Sequence, residues 1–182
     1  MIIFTSDNGP ETSLEVRNEN IPFARAQGLT SGLRGRKRSL HEGGIRVPGI
    51  VEWPFKIQPG TQVDVPCYTS DYFPTIASIL GFDLKEYQRP YDGENLMTYL
   101  TLKKIKRMKP LTFKYKNQFA VIDNDFKLYG ISDETLQLYN LKKDFGEKKD
   151  ISKINPSKLN ALNVLYKDWN MSVEKSKIGD DY

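Results

Sequence analysis

The sequence predicts an α/β protein with a partial sheet domain, residues 1–108, followed by a small antiparallel sheet with a carboxy-terminal helix, residues 109–182. Three observations support this division. An apolar strand opens the chain, and one helical segment lies near its middle. A hairpin, a further strand and a helix with one apolar face occupy its last third. The hydrophobic fraction of 38% is sufficient for a packed core, so global disorder is not expected.

In the first unit, residues 1–5 form a strand that is apolar on both faces, as is typical of central, usually parallel, strands in covered sheets. Residues 9–44 lack periodicity, and a loop of that length is usually functional or mobile. The segment IRVPGIVEWP returns to strand character, with Pro48 at an edge or a break. The segment TSDYFPTIASILG predicts a helix that Ser70 caps and Gly81 ends.

The second unit shows clear strand and helix patterns. The segment NQFAVIDNDFKLYGI predicts a hairpin that turns at residues 123–125, and TLQLYNL predicts a further strand. Asn155 is predicted to cap the last helix and Pro156 to open it. One face of this helix carries Leu159, Leu162, Tyr166, Trp169 and Val173. We expect that face to pack on the small sheet.

The first unit has too few strands and helices to cover its opening strand. A strand that is apolar on both faces needs neighbouring strands and covering helices. Between Thr5 and about Leu100, the sequence offers one further convincing strand and one helix. We therefore expect this unit to be part of a domain whose remainder would precede Met1.

Composition excludes several classes of protein. The single cysteine, Cys67, rules out an internal disulfide framework and any metal cluster built from several cysteines. The net charge is +4, but acidic and basic residues alternate along most of the chain, which favours a solvated surface for most lysines. No apolar stretch approaches the roughly 18 residues that span a bilayer, and the amino terminus lacks signal-peptide features. We expect no membrane partner.

Asp7 and Asn8 directly follow the first predicted strand. In open α/β sheets, ligands bind beyond the carboxyl ends of strands. Carboxylate and amide oxygens are the kind of ligand that Ca²⁺ takes, so the pair is a candidate for part of a divalent-cation site. The alternative is a hairpin turn at Asn8 and Gly9, with Leu14 and Val16 beginning the return strand.

A second candidate segment is GLRGRKRSLHEGGIRVP, residues 32–48, which we call the basic loop. Its first cations are Arg34, Arg36, Lys37 and Arg38. Ammonium and guanidinium groups on a glycine-rich loop suit a tetrahedral oxyanion such as sulfate or phosphate. The alternatives are a solvated loop and a contact with a nucleic-acid backbone.

Taken together, these segments resemble the sulfatase family of the alkaline-phosphatase superfamily. The stretches FTSDNGP, LRGRKRSLHEGGIRVPGIVEWP, TSDYFPTIASILG and LQLYNLKKDFGEKKDIS match in order over nearly the whole chain. The resemblance corresponds to the carboxy-terminal part of a sulfatase. It implies a partial alkaline-phosphatase-like sheet domain for residues 1–108, and an enzyme that hydrolyses sulfate esters, often of sugars or aryl alcohols.

The resemblance also implies roles for individual residues. Asp7 and Asn8 match two ligands of the active-site cation, Ca²⁺ or in some members Mg²⁺. Lys37 matches the lysine that binds sulfate oxygens and neutralises the leaving alkoxide, where negative charge develops. His41, the one histidine, is a weaker candidate for contact with substrate, based on its suitability for proton transfer. The other signature positions are expected to shape the loop: Arg34, Glu42, Gly43, Gly44, Arg46 and Pro48.

The family nucleophile has no match in this sequence. Sulfatases use formylglycine, made from a cysteine or serine in a Cys/Ser-x-Pro/Ala-x-Arg motif far upstream. Cys67 is followed by Tyr-Thr-Ser, so we interpret it as a small loop residue that could be buried. We expect this chain alone to be inactive, because a cation or a lysine cannot replace the covalent step. The missing amino-terminal portion is therefore an expected partner.

Two other functions remain open from the sequence. A phosphatase or phosphodiesterase of the same superfamily would use a Thr or Ser nucleophile, and the Asp-Asn pair with the Lys-Glu-Gly-Gly loop favours sulfate over that. A non-catalytic binding remnant, or a subunit of a separately encoded amino-terminal half, would need no nucleophile. The expected substrate is a sulfate ester, with sulfated sugars favoured, and nucleic acid is not an expected partner. The resemblance implies a periplasmic, extracellular or lysosomal location.

Overall fold

A computed structural model describes the chain over five ranges: residues 1–11, 28–87, 89–102, 105–132 and 135–181. The first sheet has two strands, β1 (Ile2–Thr5) and β2 (Gly49–Glu52). They pair antiparallel, with Phe4 opposite Ile50. Pro48 directly precedes β2, where its missing N–H interrupts no ladder.

The expected parallel, covered environment of the first strand is not found. Among the described strands, β1 pairs with β2 alone and runs antiparallel to it. Ile2 and Phe4 are 64% and 62% exposed. An apolar run indicates which side chains favour burial, but it does not supply the neighbouring layers that would bury them. The expected shortage of cover is thus visible in the described part of the chain.

The described residues of the first unit contain three α-helices: α1 (Glu42–Ile45), α2 (Tyr72–Ile79) and α3 (Met97–Leu100). The predicted central helix is confirmed as a 3₁₀ turn, Thr69–Asp71, that runs into α2. Gly81 follows the helix with a φ of +80°, as a terminating glycine does. None of the helices in the described ranges combines the length and apolar composition needed to cross a lipid bilayer.

The predicted cap at Ser70 is replaced by a different one. Ser70 lies inside the 3₁₀ turn, and the carboxylate of Asp71 accepts the backbone N–H of Tyr68 at 2.9 Å. The same carboxylate accepts two hydrogen bonds from the guanidinium of Arg107, at 2.8 and 2.9 Å. Asp71 and Arg107 are both buried, so this ion pair fixes the segment before the second sheet against the start of α2.

The second sheet has four antiparallel strands in chain order: β3 (Leu111–Tyr115), β4 (Gln118–Asp123), β5 (Phe126–Ile131) and β6 (Thr135–Asn140). The predicted hairpin and the strand after it are confirmed. The hairpin turns at Asn124, whose φ of +52° suits asparagine. Strand β3 was not predicted, because LTFKY follows a polar, basic stretch.

The last helix, α4 (Pro156–Ile178), begins at the predicted proline and covers one face of the second sheet. Four of the five residues on its predicted apolar face are confirmed as packing on the sheet: Leu162 and Tyr166 are buried, with Leu159 and Trp169 beside them, whereas Val173 is half-buried and outside this cluster. Tyr166 stacks on Phe119 of β4 with ring centroids 3.7 Å apart. The opposite face of the sheet carries Ala120, Tyr129 and Tyr139 and packs against Leu40 of the basic loop. The second sheet therefore holds α4 on one side and the basic loop on the other.

Candidate active site

Asp7 and Asn8 lie just beyond the carboxyl end of β1. Asp7 is exposed and Asn8 is half-buried. The Ser6 hydroxyl donates to the backbone carbonyl of Asn8 at 3.0 Å, and the Asn8 amide donates to the carbonyl of Gly9 at 2.9 Å. These short-range contacts hold the turn while the Asp7 carboxylate faces solvent.

The basic loop packs directly against this strand end. The N–H of Gly9 donates to the carbonyl of Gly44 at 2.9 Å, and the N–H of Lys37 donates to the carbonyl of Pro10 at 3.0 Å. The structure therefore places the segment that contains Asp7 and Asn8 beside the loop that contains Lys37. The alternative return strand at Leu14 and Val16 lies outside the described residues.

Glycines make this close approach sterically feasible. A Cβ atom at Gly9 would lie 1.9 Å from the carbonyl oxygen of Gly43. A Cβ at Gly43 would lie 2.2 Å from the carbonyl oxygen of Gly35. Real Cβ atoms do not approach oxygen so closely, so both positions exclude a side chain without backbone movement. Gly9 thus allows the strand end to approach the basic loop, and Gly43 allows the loop to pack against its own backbone at Gly35.

Lys37 is partly exposed and has an acidic neighbour. Its ammonium lies 3.7 Å from the carboxylate of Glu11, whose side chain is 10% exposed. Arg38 also pairs with the Glu11 carboxylate, and Arg36 donates to the Glu11 backbone carbonyl at 3.0 Å. Lys37 and Arg38 therefore share one carboxylate, while Arg36 contacts the backbone of the same residue, so the charged groups of Lys37 and Arg38 can face a common anion.

His41 lies on the inner side of the loop. Its residue is 7% exposed, and its ring stacks on Tyr129 of β5 with centroids 4.0 Å apart. Its Nδ1 lies 3.0 Å from Oε1 of Glu147. A carboxylate can only accept hydrogen bonds, so Nδ1 carries the proton in this contact. This burial favours packing over contact with substrate.

Glu42 is anchored by a lysine from the second sheet. The Lys127 ammonium of β5 donates to Glu42 Oε1 at 2.9 Å and lies 3.0 Å from Glu147 Oε1. Glu147 Oε2 in turn accepts the backbone N–H of Glu42 at 2.7 Å. The exposed Arg46 lies farther from Glu42, at 3.8 Å. We call Glu42, Lys127 and Glu147 the buried ion cluster, since their side chains are at most 4% exposed.

The environment of Glu147 lowers the pKa of its carboxyl group. Burial acts to raise that pKa, but the hydrogen bond from His41 and the charge of Lys127 outweigh it. The N–H of Glu42 adds a further stabilising hydrogen bond to the ionised form. Glu147 is therefore held as a carboxylate beneath the loop.

Arg34 fixes the start of the basic loop. Its guanidinium donates to the Tyr139 hydroxyl of β6 at 2.8 Å and to the backbone carbonyl of Glu147 at 3.2 Å. Burial raises the pKa of the Tyr139 phenol, and the nearby Arg34 charge partly offsets that rise. The Tyr139 hydroxyl accepts from Arg34 while donating to Gln137 at 2.9 Å.

The donors at Asp7 and Asn8 fit part of a hard-cation site. They supply one carboxylate and one amide oxygen at an exposed strand end, and Ca²⁺ requires six to eight oxygen ligands. Within the described residues, no group of three His, Cys, Asp or Glu side chains is placed to hold a metal ion. The remaining ligands would have to come from outside these residues, from substrate or from water.

Three residues that contact the basic loop or its neighbours could not be recognised from the sequence: Lys127, Glu147 and Glu11. A lysine between Phe126 and Leu128 in a strand normally indicates a solvent-facing position, so its pattern was misleading. Glu147 lies in a loop with other charged residues, and nothing local distinguishes it. Cys67, in contrast, is an exposed loop residue whose thiol donates to the carbonyl of Val65 at 3.2 Å.

Comparison with known proteins gives consistent matches. The Sulfatase family model matches residues 1–82. Human (Homo sapiens) steryl-sulfatase is 38% identical over 119 residues, which cover 65% of this chain and 20% of that protein. The N-acetylgalactosamine-6-O-sulfatase of Bacteroides thetaiotaomicron is 31% identical over 182 residues, covering 91% of this chain and 35% of that protein.

Solved structures match over nearly the whole chain. The crystal structure of Ps i-CgsB, solved alone and in complex with k-i-k-neocarrahexaose, superimposes with a TM-score of 0.76 at 26% sequence identity. The match covers 93% of this chain and 36% of that one. The chain therefore spans only about a fifth to a third of the relatives that it matches.

Proposed function

The chain belongs to the sulfatase family, and we propose that it forms one wall of the active site of a sulfuric ester hydrolase. In this proposal Asp7 and Asn8 bind a divalent cation and Lys37 binds the sulfate group. The main support is the backbone hydrogen bond from Lys37 to Pro10, which sets the basic loop beside the segment that contains both proposed ligands.

Lys37 is the proposed catalytic residue of this chain. Its partly exposed ammonium can donate to sulfate oxygens and stabilise the negative charge that develops on the bridging oxygen as the ester bond breaks. In the structure the Glu11 carboxylate lies 3.7 Å from this ammonium. A bound sulfate would take the place of that carboxylate and would benefit from the neighbouring arginines.

Asp7 and Asn8 would hold Ca²⁺, or Mg²⁺ as the alternative, with ligands that these residues alone cannot supply. A bound cation would neutralise part of the charge on a sulfate oxygen. The family's formylglycine would supply the nucleophile from an upstream segment that this sequence does not contain. Without that segment we expect no turnover from this chain.

His41 is a weaker proposal for substrate contact. Its ring is buried against Tyr129 and its Nδ1 proton is engaged by Glu147, so contact with substrate would require the loop to open. We propose that it contributes mainly to the shape of the loop.

Sulfated carbohydrates are the proposed substrate class. The match to N-acetylgalactosamine-6-O-sulfatase covers 91% of this chain and includes the second unit, whereas the match to steryl-sulfatase covers 65%. Ps i-CgsB, which shares the fold over 93% of this chain, was solved with the oligosaccharide k-i-k-neocarrahexaose. A unit that borders the site can influence substrate choice, so similarity across both units favours a sugar ester over a steroid ester.

The decisive experiment compares Lys37→Ala with Lys56→Ala in the complete reading frame. Lys56 is an exposed lysine outside the basic loop. Free sulfate released from a panel of sulfated sugars and aryl sulfates is measured for each variant. Lys37→Ala should lower kcat/KM about 10²–10³-fold, as loss of one donor to a developing oxyanion does. Equal turnover in the two variants would reject the role of Lys37, and a complete protein that binds these esters without releasing sulfate would favour the non-catalytic alternative.

A further inference from the structure

The buried ion cluster lies beneath the basic loop, on the sheet of the second unit. We propose that Lys127 and Glu147 are positioning residues, which set the location of Lys37 relative to Asp7 and Asn8. This inference rests on the proposed function, because it concerns the geometry of the same site. The proposal implies that the second unit holds the basic loop in its sulfate-binding conformation.

The first argument is that the second unit holds the loop on both sides of Lys37. Ahead of Lys37, the Arg34 guanidinium contacts Tyr139 and the Glu147 backbone. After Lys37, Gln118 of β4 makes two contacts with the loop backbone. Its amide nitrogen donates to the Arg38 carbonyl at 3.0 Å, and its carbonyl oxygen accepts the Leu40 N–H at 3.2 Å. The loop tip is therefore supported at both ends by residues more than 75 positions later in the chain.

The second argument is that the ion cluster connects to both halves of the proposed site. Glu147 accepts the N–H of Glu42 at 2.7 Å, which fixes the start of α1. The next residue, Gly43, donates to the Arg34 carbonyl at 2.7 Å and so closes the loop that contains Lys37. Gly44 then accepts the N–H of Gly9, the residue after Asn8. A movement at Glu42 would therefore shift the loop and the strand end relative to each other.

The third argument concerns the chemistry of the buried ion cluster. The side chains of Lys127 and Glu147 are 0% exposed, so their charges have been removed from water. Apolar side chains of similar volume often provide equal or greater stability than a buried ion pair. Charged hydrogen bonds are directional, however, and they fix the distance and angle between the loop and β5. Precise placement is the property that a sulfate-binding lysine requires.

The test uses Lys127→Met, with Lys114→Met as its matched control. Both lysines lie in the second sheet, but the Lys114 ammonium contacts Asn170 and Glu174 of α4. Two measurements are made on this chain. Hydrogen exchange followed by mass spectrometry reports on the amides of residues 36–45. Reductive methylation of Lys37, with and without saturating inorganic sulfate, reports on anion binding at that ammonium.

We expect Lys127→Met to accelerate exchange across residues 36–45 by about tenfold or more, because this local structure would open more often. Inorganic sulfate should slow methylation of Lys37 in the wild-type chain and in Lys114→Met, and should protect it far less in Lys127→Met. Unchanged exchange and unchanged protection in Lys127→Met would overturn the proposal.

Two further variants separate positioning from stability. Lys127→Met combined with Glu147→Gln removes two of the three charges in the cluster. It relieves the repulsion between the Glu42 and Glu147 carboxylates that Lys127→Met alone leaves without their lysine, so it should recover part of the lost thermal stability but not the protection of Lys37. If the double variant recovers both the thermal stability and the protection of Lys37 by sulfate, the cluster only stabilises the fold, and the proposal is overturned. Tyr139→Phe keeps the ring and removes the hydroxyl that Arg34 contacts, so it tests the same loop if Lys127→Met fails to fold. It should also accelerate exchange at residues 36–45, and wild-type exchange would count against positioning by the second unit.

The same data distinguish failure of the proposed function, sulfate binding by Lys37, from failure of the positioning role of the second unit. If sulfate gives no protection of Lys37 in the wild-type chain, the sulfate-binding role in this chain is rejected. The exchange of residues 36–45 in Lys127→Met still decides whether the second unit holds the loop.

Discussion

The backbone N–H of Lys37 donates to the carbonyl oxygen of Pro10 across 3.0 Å. This bond joins the basic loop to the segment just after Asp7 and Asn8, which are nearly 30 residues earlier in the sequence. A loop and a strand end that share a backbone hydrogen bond cannot move independently. Substitutions at this junction should therefore affect both proposed halves of the site.

Gly9→Ala should destabilise the contact between the end of β1 and the basic loop. The new Cβ would lie 1.9 Å from the carbonyl oxygen of Gly43, and overpacking of this kind typically costs about 1–3 kcal/mol in the free energy of unfolding. Gly49→Ala is the matched control, because no heavy atom lies within 4 Å of a Cβ at that position of β2. Urea unfolding of both variants measures the difference. Equal stability of the two variants would show that the backbone there relaxes at little cost.

Asp7→Ala should weaken binding of a divalent cation in the complete protein. The substitution removes the one carboxylate among the two proposed ligands, and even outer-shell changes typically cost about 10–100-fold in metal affinity. Isothermal titration with Ca²⁺ measures the effect, with the exposed Asp64→Ala as control. An unaltered calcium affinity in Asp7→Ala would remove Asp7 from the site.

Arg107→Met should be strongly destabilising. It would leave the buried Asp71 carboxylate without its two guanidinium hydrogen bonds, and breaking a buried pair costs about 3–5 kcal/mol. Lys158→Met is the control, because Lys158 and Asp123 form a partly exposed pair, and such pairs contribute about 0–1 kcal/mol. Thermal unfolding compares the two variants. A similar small loss in both would mean that water or neighbouring donors compensate Asp71.

Acid should destabilise the chain partly through Glu147. Its pKa is lowered in the folded state, so the folded form releases the proton more readily than the unfolded form. The resulting stability is fully present above the pKa of an unfolded glutamate, about 4.3, and is lost as the pH falls through the lower folded value. Glu147→Gln should therefore be less stable than wild type at pH 7 and should show a flatter loss of stability below about pH 4.3.

The control for this pH dependence is Glu52→Gln, an exposed carboxylate at the end of β2. Unfolding free energies of wild type and both variants are measured from pH 7 to pH 3. An unchanged acid slope in Glu147→Gln would show that the groups around this carboxylate do not stabilise its ionised form.

Several parts of the fold could be predicted because their causes are local. The hairpin of β4 and β5 follows from two β-prone runs on either side of a turn at Asn124, and α4 follows from Pro156 and a regular apolar face. The environment of β1 could not be predicted in the same way. Its apolar composition is compatible with either pairing direction, and exposure of Phe4 depends on which layers are present.

The sequence by itself determined the chemistry that the chain offers: oxygen donors at Asp7 and Asn8, and an ammonium group at Lys37 within a glycine-rich loop. These features can be recognised because each lies in a short segment with a defined order of residues. Only the tertiary structure decided that the second sheet supports this loop, through Lys127 and Glu147 about 90 to 110 positions after Lys37. The physical reason is that an ion pair depends on distance in space and on burial, and neither leaves a periodic pattern in the sequence.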